Sequence, residues 1–300
     1  MTQLLHVQQL TKVFGNHRVV DRISFELAEG TSTALIGPNG AGKTTTLSML
    51  AGLVTPTEGT VLFHNEQKKD LRSSIGFLPQ YPKFFPWLTA LEFTEMAARL
   101  SGVETKQARL EAQKTLEFVG LSDALKKRVG TFSGGMKQRL GLAQAIVHKP
   151  ELLLLDEPVS ALDPVGRRQV MNLLKELQQQ TTILYSTHIL NDAEEMTDQL
   201  LFLRKGVLVE NGSLTDVSKK YANPRILIEF ELDTEFKRFV ALAPWKATSE
   251  RQRVSIDPIT EETNMSEVLA FLHTHSCIVR KVELQTASLE EIFMKVVVEG

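Results

Sequence analysis

Gly37-Pro38-Asn39-Gly40-Ala41-Gly42-Lys43-Thr44 spaces three glycines, a lysine and a hydroxyl so that backbone N–H groups can curl around phosphate oxygens. Lys43 can reach β- and γ-phosphates, and the Thr44 hydroxyl can ligate Mg²⁺. A helix expected from Thr45 to Leu53 adds the partial positive charge of its N-terminus. Further along, Leu152-Leu153-Leu154-Leu155 runs without a polar break into Asp156-Glu157. Two carboxylates at the carboxyl end of a parallel strand would meet the phosphate loop in the ligand crevice. Asp156 would hold Mg²⁺, directly or through water, and Glu157 would polarise an attacking water as general base. A third segment, Phe132-Ser133-Gly134-Gly135, offers an N-cap and open backbone N–H groups before a helix through Leu142, Ala145 and Ile146. By local physics this is either an ordinary capped helix or a second anion-binding helix start.

The elements that must position these groups follow from apolar periodicity. Residues 4–10 and 18–27 alternate as half-buried strands, with a turn over Lys12–His17 between them. Thr33–Ile36 reads as a buried strand, and short strands follow at Gly59–Phe63 and Ser74–Leu78. From about Leu91 to His148 helix formers dominate. Val170, Leu173, Leu174 and Leu177 mark one helical face, and Thr182–Tyr185 and Gln199–Leu203 are further strands. Strand and helix in alternation predict an α/β sheet with right-handed crossovers. Beyond Ser218–Pro224 the texture changes. Ile226, Ile228, Phe230 and Leu232 alternate with polar neighbours. A strand near Val254, a helix carrying Met265, Val268, Leu269 and Leu272, and a strand ending at Leu284 follow. A capping box at Ser288 and Glu291 opens a last helix burying Leu289, Ile292, Phe293 and Val296. The expected domains are 1–218, with a helical subdomain at about 88–150, and a small α+β domain over 219–300.

Composition narrows the classes. Of 300 residues 42% are hydrophobic, enough for a sizeable core, and a net charge of −2 gives no electrostatic case for a nucleic-acid partner. Lys68-Lys69 and Lys126-Lys127-Arg128 are short and read as solvated faces. Cys277 is the only cysteine, so no internal disulfide forms and a reducing compartment fits. No basic segment followed by a long apolar run opens the chain, and nowhere do eighteen apolar residues run together, so neither a signal peptide nor a membrane span is expected. His64, His273 and His275 lack ligand partners at suitable spacing, so no histidine metal site is read.

As an ordered set, these motifs resemble the nucleotide-binding domain of ATP-binding-cassette transporters. The set comprises the phosphate loop, Gln80 in Gly76-Phe77-Leu78-Pro79-Gln80, Ser133-Gly134-Gly135, Asp156-Glu157, Ser160-Ala161-Leu162-Asp163 and Ser186-Thr187-His188. The resemblance covers residues 4 to about 217. It implies a P-loop NTPase fold with a mixed core sheet and helical subdomain, and ATP with Mg²⁺ as ligands. In that family two domains bind head to tail, each ATP lying between one copy's phosphate loop and the other's signature motif, which accounts for two anion-binding helix starts in one chain. It further implies that Gly37 through Thr45 bind nucleotide and that Phe14 stacks on adenine. Gln80 would contact Mg²⁺ and sense the γ-phosphate, and His188 would hydrogen-bond that phosphate. Ser133 and Gly135, with Gly134 between them, would meet the γ-phosphate of the opposite site, and Asp163 would line the dimer seam. Phe132 and Met136 stand where many members have Leu and Gln, and Phe14 replaces a frequent Tyr. None of these changes removes a phosphate-binding group.

The aromatic segment Tyr81–Thr89 falls where the family receives short cytoplasmic helices of the membrane subunit; a locally packed loop is the competing reading. The C-terminal domain, with its Ser288–Phe293 ending, resembles the drug-resistance and ABC-2 type export subfamily. Together these imply an ATP hydrolase dimerising with itself or a paralogue. It would be peripheral on the cytoplasmic face of the membrane and would power export through separate permease subunits. The alternatives are a soluble cassette ATPase with no membrane partner, and a C-terminal domain that regulates or dimerises.

Overall fold

Apolar–polar alternation near the N-terminus folds as an antiparallel ribbon, β1 (Gln3–Phe14) against β2 (His17–Ala28), with Leu5, Val7, Leu10, Ile23, Phe25 and Leu27 buried. The strands extend further than their alternation predicts, because cross-strand pairing carries Lys12–Phe14 and only Gly15-Asn16 turns the chain. The computed structural model describes residues 2–66, 71, 73–160, 162–221, 224–245, 247–256, 264–285 and 288–299. Two units divide the chain: 1–214 with 295–300, and 215–294.

In the first unit, β3 (Ser32–Ile36) is buried along its whole length, as a parallel strand covered on both faces must be. The phosphate loop leads into α1 (Lys43–Leu50), and β4 (Glu58–Phe63) returns to β1, giving the sheet order β2-β1-β4. After β5 (Ile75–Leu78) come the helices α2 (Ala90–Leu100), α3 (Thr105–Phe118) and α4 (Gly134–Ile146). Thr89 and Glu92 form a capping box that starts α2. The inward positions of α3 are Ala108, Ala112 and Leu116, the two alanines small enough for close packing. At Gly76 a Cβ would lie 2.1 Å from the Ala145 carbonyl, so only glycine lets α4 rest on β5.

The apolar run becomes β6 (Leu152–Asp156), fully buried. It is followed by α5 (Pro164–Leu177), β7 (Thr182–Thr187), α6 (Leu190–Met196), β8 (Gln199–Arg204) and β9 (Val207–Ser213). Met171 joins Val170, Leu174 and Leu177 on the inner face of α5, and Leu173 is half-buried. The larger sheet runs β5-β6-β7-β3-β8-β9, parallel except for β9, which pairs antiparallel with β8. This is the mixed α/β core expected of the chain. Sequence patterning missed α6 and β9.

α7 (Leu214–Lys220) leads into the second unit. There β10 (Arg225–Phe230), α8 (Asp233–Leu242), β11 (Ala247–Glu250), β12 (Arg253–Ile256), α9 (Met265–Thr274) and β13 (Val279–Gln285) follow one another. The sheet order β11-β12-β10-β13 is the split βαβ arrangement. Ile226, Ile228, Phe230, Phe239, Val254 and Ile256 build its core with Val268 and Leu272. Leu232, expected inside, is half exposed at the start of α8, and Leu269 points outward from α9. The capping box at Ser288 and Glu291 opens α10 (Leu289–Phe293), which continues as a wider helical turn with Val296 and Val297 buried. Lys126, Lys127 and Arg128 are exposed, while Lys68-Lys69 lies outside the described residues.

Leu154 is wholly buried in the core of the larger sheet. Leu154→Ala should lower stability by about 2–5 kcal/mol, read from the urea unfolding midpoint. A loss below about 1 kcal/mol would contradict this packing.

Candidate functional site

The phosphate loop leaves the carboxyl end of β3 and closes on itself, Ala41 N–H donating to the Pro38 carbonyl at 3.1 Å. Gly42 sits at φ +106°, where L side chains are strained, and a Cβ there would meet the Val19 carbonyl at 2.8 Å. No side chain caps α1, so its first N–H groups remain for an acceptor. Behind the loop, the β8–β9 turn braces it: Gly206 N–H donates to the Ala41 carbonyl at 2.9 Å, and Asp21 N–H to the Gly206 carbonyl at 2.8 Å.

Lys43 is 6% exposed. Its Nζ donates to the carbonyls of Gly37 at 2.8 Å and Pro38 at 3.2 Å, and lies 3.8 Å from Glu157 Oε1. Burial pushes its ammonium below the ordinary 10.5, with attraction to Glu157 and Asp156 acting the other way.

Across the cavity, Asp156 ends β6, 1% exposed, and the parallel register sets it beside Ser186 of β7. Ser186 Oγ donates to Asp156 Oδ1 at 2.6 Å and accepts Glu157 N–H at 2.9 Å. Glu157 adopts φ +48°, a left-handed backbone rare outside glycine. That turn directs its carboxylate to Gln80, whose Nε2 donates to Oε2 at 2.9 Å, and to His188, whose Nδ1 lies 3.2 Å from Oε1. A cavity of about 340 Å³ opens here, lined by Asn39, Gly40, Lys43, Thr44 and Thr45 on one side and by Gln80 and Glu157 on the other.

The structure brings the loop, Gln80, Asp156, Glu157 and His188 together. The remaining residues named from sequence lie elsewhere. Ser133 caps α4, accepting Met136 N–H at 3.3 Å, and with Gly134 and the half-buried Gly135 does not line this cavity. Asp163 caps α5 by accepting Gly166 N–H at 3.0 Å, and Phe14 is half exposed at the end of β1 beneath Lys12 Nζ. Sequence reasoning gave no role to Ser186, nor to Gln138, whose buried Nε2 donates to the Pro158 carbonyl at 2.7 Å just after Glu157. The Ser186-Thr187-His188 motif marked the segment, but only the strand register shows which carboxylate each residue meets.

An uncapped helix start, a glycine-built cradle and a buried lysine suit the phosphates of a nucleotide. Thr44, Gln80 and Asp156 each carry a hard oxygen donor of the kind Mg²⁺ prefers. Fold and site together define a phosphate-loop nucleotide hydrolase. Residues 20–160 match the ABC transporter family, and 212–297 match the C-terminal domain of ATP-binding protein DrrA1-3-like. The chain is 42% identical over 298 residues to the uncharacterized ABC transporter ATP-binding protein YxlF of Bacillus subtilis, covering 98% of this chain and 99% of that one. It is 37% identical to the bacitracin transport ATP-binding protein BcrA of Bacillus licheniformis, over 81% and 79% of the two chains. The linearmycin resistance ATP-binding protein LnrL of Bacillus subtilis is 29% identical over 97% of each. Among solved structures, an ATP-binding subunit of an ABC transporter matches 73% of this chain and 93% of its own, with TM-score 0.66 and 30% identity. The cassette MJ0796, in a dimeric post-hydrolysis state bound to ADP and Pi, matches 70% and 99%, with TM-score 0.64 and 28% identity. The chain belongs to the ATP-binding subunits of ABC transporters, and is an ATPase of that family.

The depressed basicity of Lys43 has a measurable sign. The unfolded chain holds that proton more tightly than the folded one, so stability rises with pH between the folded value and 10.5. Lys43→Met should flatten that alkaline rise in urea titrations. An unchanged slope would place the ammonium in water.

Proposed function

We propose that this ATPase powers export through separate membrane-spanning subunits, acting as a pair of cassettes that hold each nucleotide between them. One observation carries the pairing: Ser133 and Gly134 form an exposed helix start that does not line the cavity containing Lys43. A second anion site outside the first is explained when the triphosphate of one copy meets Ser133, Gly134 and Gly135 of another. The dimeric MJ0796 structure with ADP and Pi supports that reading. Asp163, exposed at the start of α5, would then lie at the seam.

Within one cavity the chain's residues divide the work. Loop N–H groups and Lys43 orient the phosphates, and Phe14 stacks on adenine, worth about 1–3 kcal/mol. Glu157 takes the proton of the attacking water, while Gln80 and His188 hold its carboxylate and meet the γ-phosphate. Thr44, Gln80 and Asp156 would hold Mg²⁺, which supplies charge neutralisation on the phosphate oxygens when bound.

Among the described residues no helix is long and apolar enough to cross a membrane, and on this reading other subunits supply the passage itself. Directly after Gln80, Tyr81, Phe85 and Trp87 are exposed, at 73%, 45% and 65%. Phe84, packed edge-on against Phe93 at 5.2 Å, anchors the segment to α2. An exposed aromatic surface one residue from Gln80 is suited to receive a membrane subunit, and docking there would hold the ATPase at the cytoplasmic face. The names of BcrA and LnrL, bacitracin transport and linearmycin resistance, support export of an antibiotic-like cargo.

Glu157→Gln should keep ATP affinity but lower turnover by about 10²–10⁴-fold. It should also accumulate as an ATP-bound dimer in light scattering. Near-parental hydrolysis would remove Glu157 as the base. Lys43→Ala should lose nucleotide affinity itself, measured by direct titration, and retained affinity would contradict the phosphate-binding role.

A further inference from the structure

We propose that Ser186 is a positioning residue that sets the metal-binding and water-activating carboxylates as one unit. This rests on the roles of Asp156 and Glu157 proposed above. Ser186 is fully buried at the end of β7, in register with Asp156. Its single hydroxyl hydrogen goes to Asp156 Oδ1 at 2.6 Å, and its oxygen accepts Glu157 N–H at 2.9 Å. Among the described residues no other hydrogen-bond donor reaches the Asp156 carboxylate, which is itself 1% exposed. One carboxylate oxygen is thereby fixed on the protein and the other is left for a cation.

The second bond acts on Glu157. Its φ of +48° takes it out of strand geometry just past the last ladder pair of β6. A buried N–H that has left the ladder must find another acceptor, and Ser186 Oγ is that acceptor. The turn so fixed carries the Glu157 carboxylate to Gln80 and His188. His188 lies two residues beyond Ser186, so one tripeptide meets the side chain of Asp156 and both the backbone and carboxylate of Glu157.

A serine that only satisfied a buried N–H would affect stability alone. A positioning serine also alters the response to Mg²⁺, because partners behind a metal ligand typically change metal affinity or activity about 10–100-fold. The full-length protein and its Ser186→Ala, Ser186→Cys and Asp156→Asn variants should be compared in three measurements. These are affinity for a non-hydrolysable ATP analogue with and without Mg²⁺, Mg²⁺ half-saturation of ATPase activity, and the urea midpoint. Ser186→Ala should raise the Mg²⁺ half-saturation about 10-fold or more and abolish most of the Mg²⁺-dependent gain in analogue affinity, while metal-free affinity stays at the parental value. Ser186→Cys, with a weaker donor of similar size, should fall between, and reads the same shift if the alanine variant does not fold. A folded Ser186 variant with parental Mg²⁺ half-saturation and kcat overturns the proposal while Asp156→Asn still responds. If Asp156→Asn also leaves the Mg²⁺ response unchanged, the metal assignment falls and this inference falls with it.

Discussion

A buried cation facing two buried carboxylates sets the terms for everything around the site. Lys43, Asp156 and Glu157 are 6%, 1% and 9% exposed. Charges withdrawn from water to that degree cost several kcal/mol each unless matched and hydrogen-bonded. Here Lys43 is held by two loop carbonyls, Asp156 by one hydroxyl, and Glu157 by an amide with a histidine nitrogen close by. The groups come from β3–α1, β6, β7 and the segment after β5. Charge compensation therefore reaches from β5 across to β3 in the larger sheet.

The sheet makes this possible because parallel strands end together. β3, β6 and β7 deliver the loop, the two carboxylates and Ser186 to one edge of the sheet. Left-handed turns then redirect the chain at Gly42 and Glu157. Glycine reaches that conformation at little cost, whereas Glu157 does not, and its strain of about 1–3 kcal/mol is held in place by the bond from its N–H to Ser186 Oγ.

Much of this was legible in the residues themselves. The phosphate loop, Asp156-Glu157, Gln80 and His188 stand out by type and spacing; the loop, Gln80 and Glu157 line one cavity, and His188 lies beside Glu157. β6 was visible as an unbroken apolar run and β3 as the largely apolar Thr33–Ile36. β9 was not, because Glu210-Asn211-Gly212-Ser213 lacks strand formers and is held as a strand by pairing with β8. α6 is seven residues long, shorter than any length at which local pattern specifies a helix. α8 was missed because Phe236 and Phe239 follow so closely on the alternation of β10 that one period obscured the next. The grip of Ser186 on Asp156 spans thirty residues of sequence, and nothing local to either residue encodes it.

The second unit is an excursion rather than a tail. The backbone departs at Leu214 and rejoins the cassette at Lys295, where Val296 and Val297 are buried. A truncation after Leu214 would therefore amputate two interior valines along with the appendage. Isolating the cassette calls for splicing the departure point to the return point. The last turn of helix in the chain groups with residues 1–214, and the eighty residues before it form the second unit.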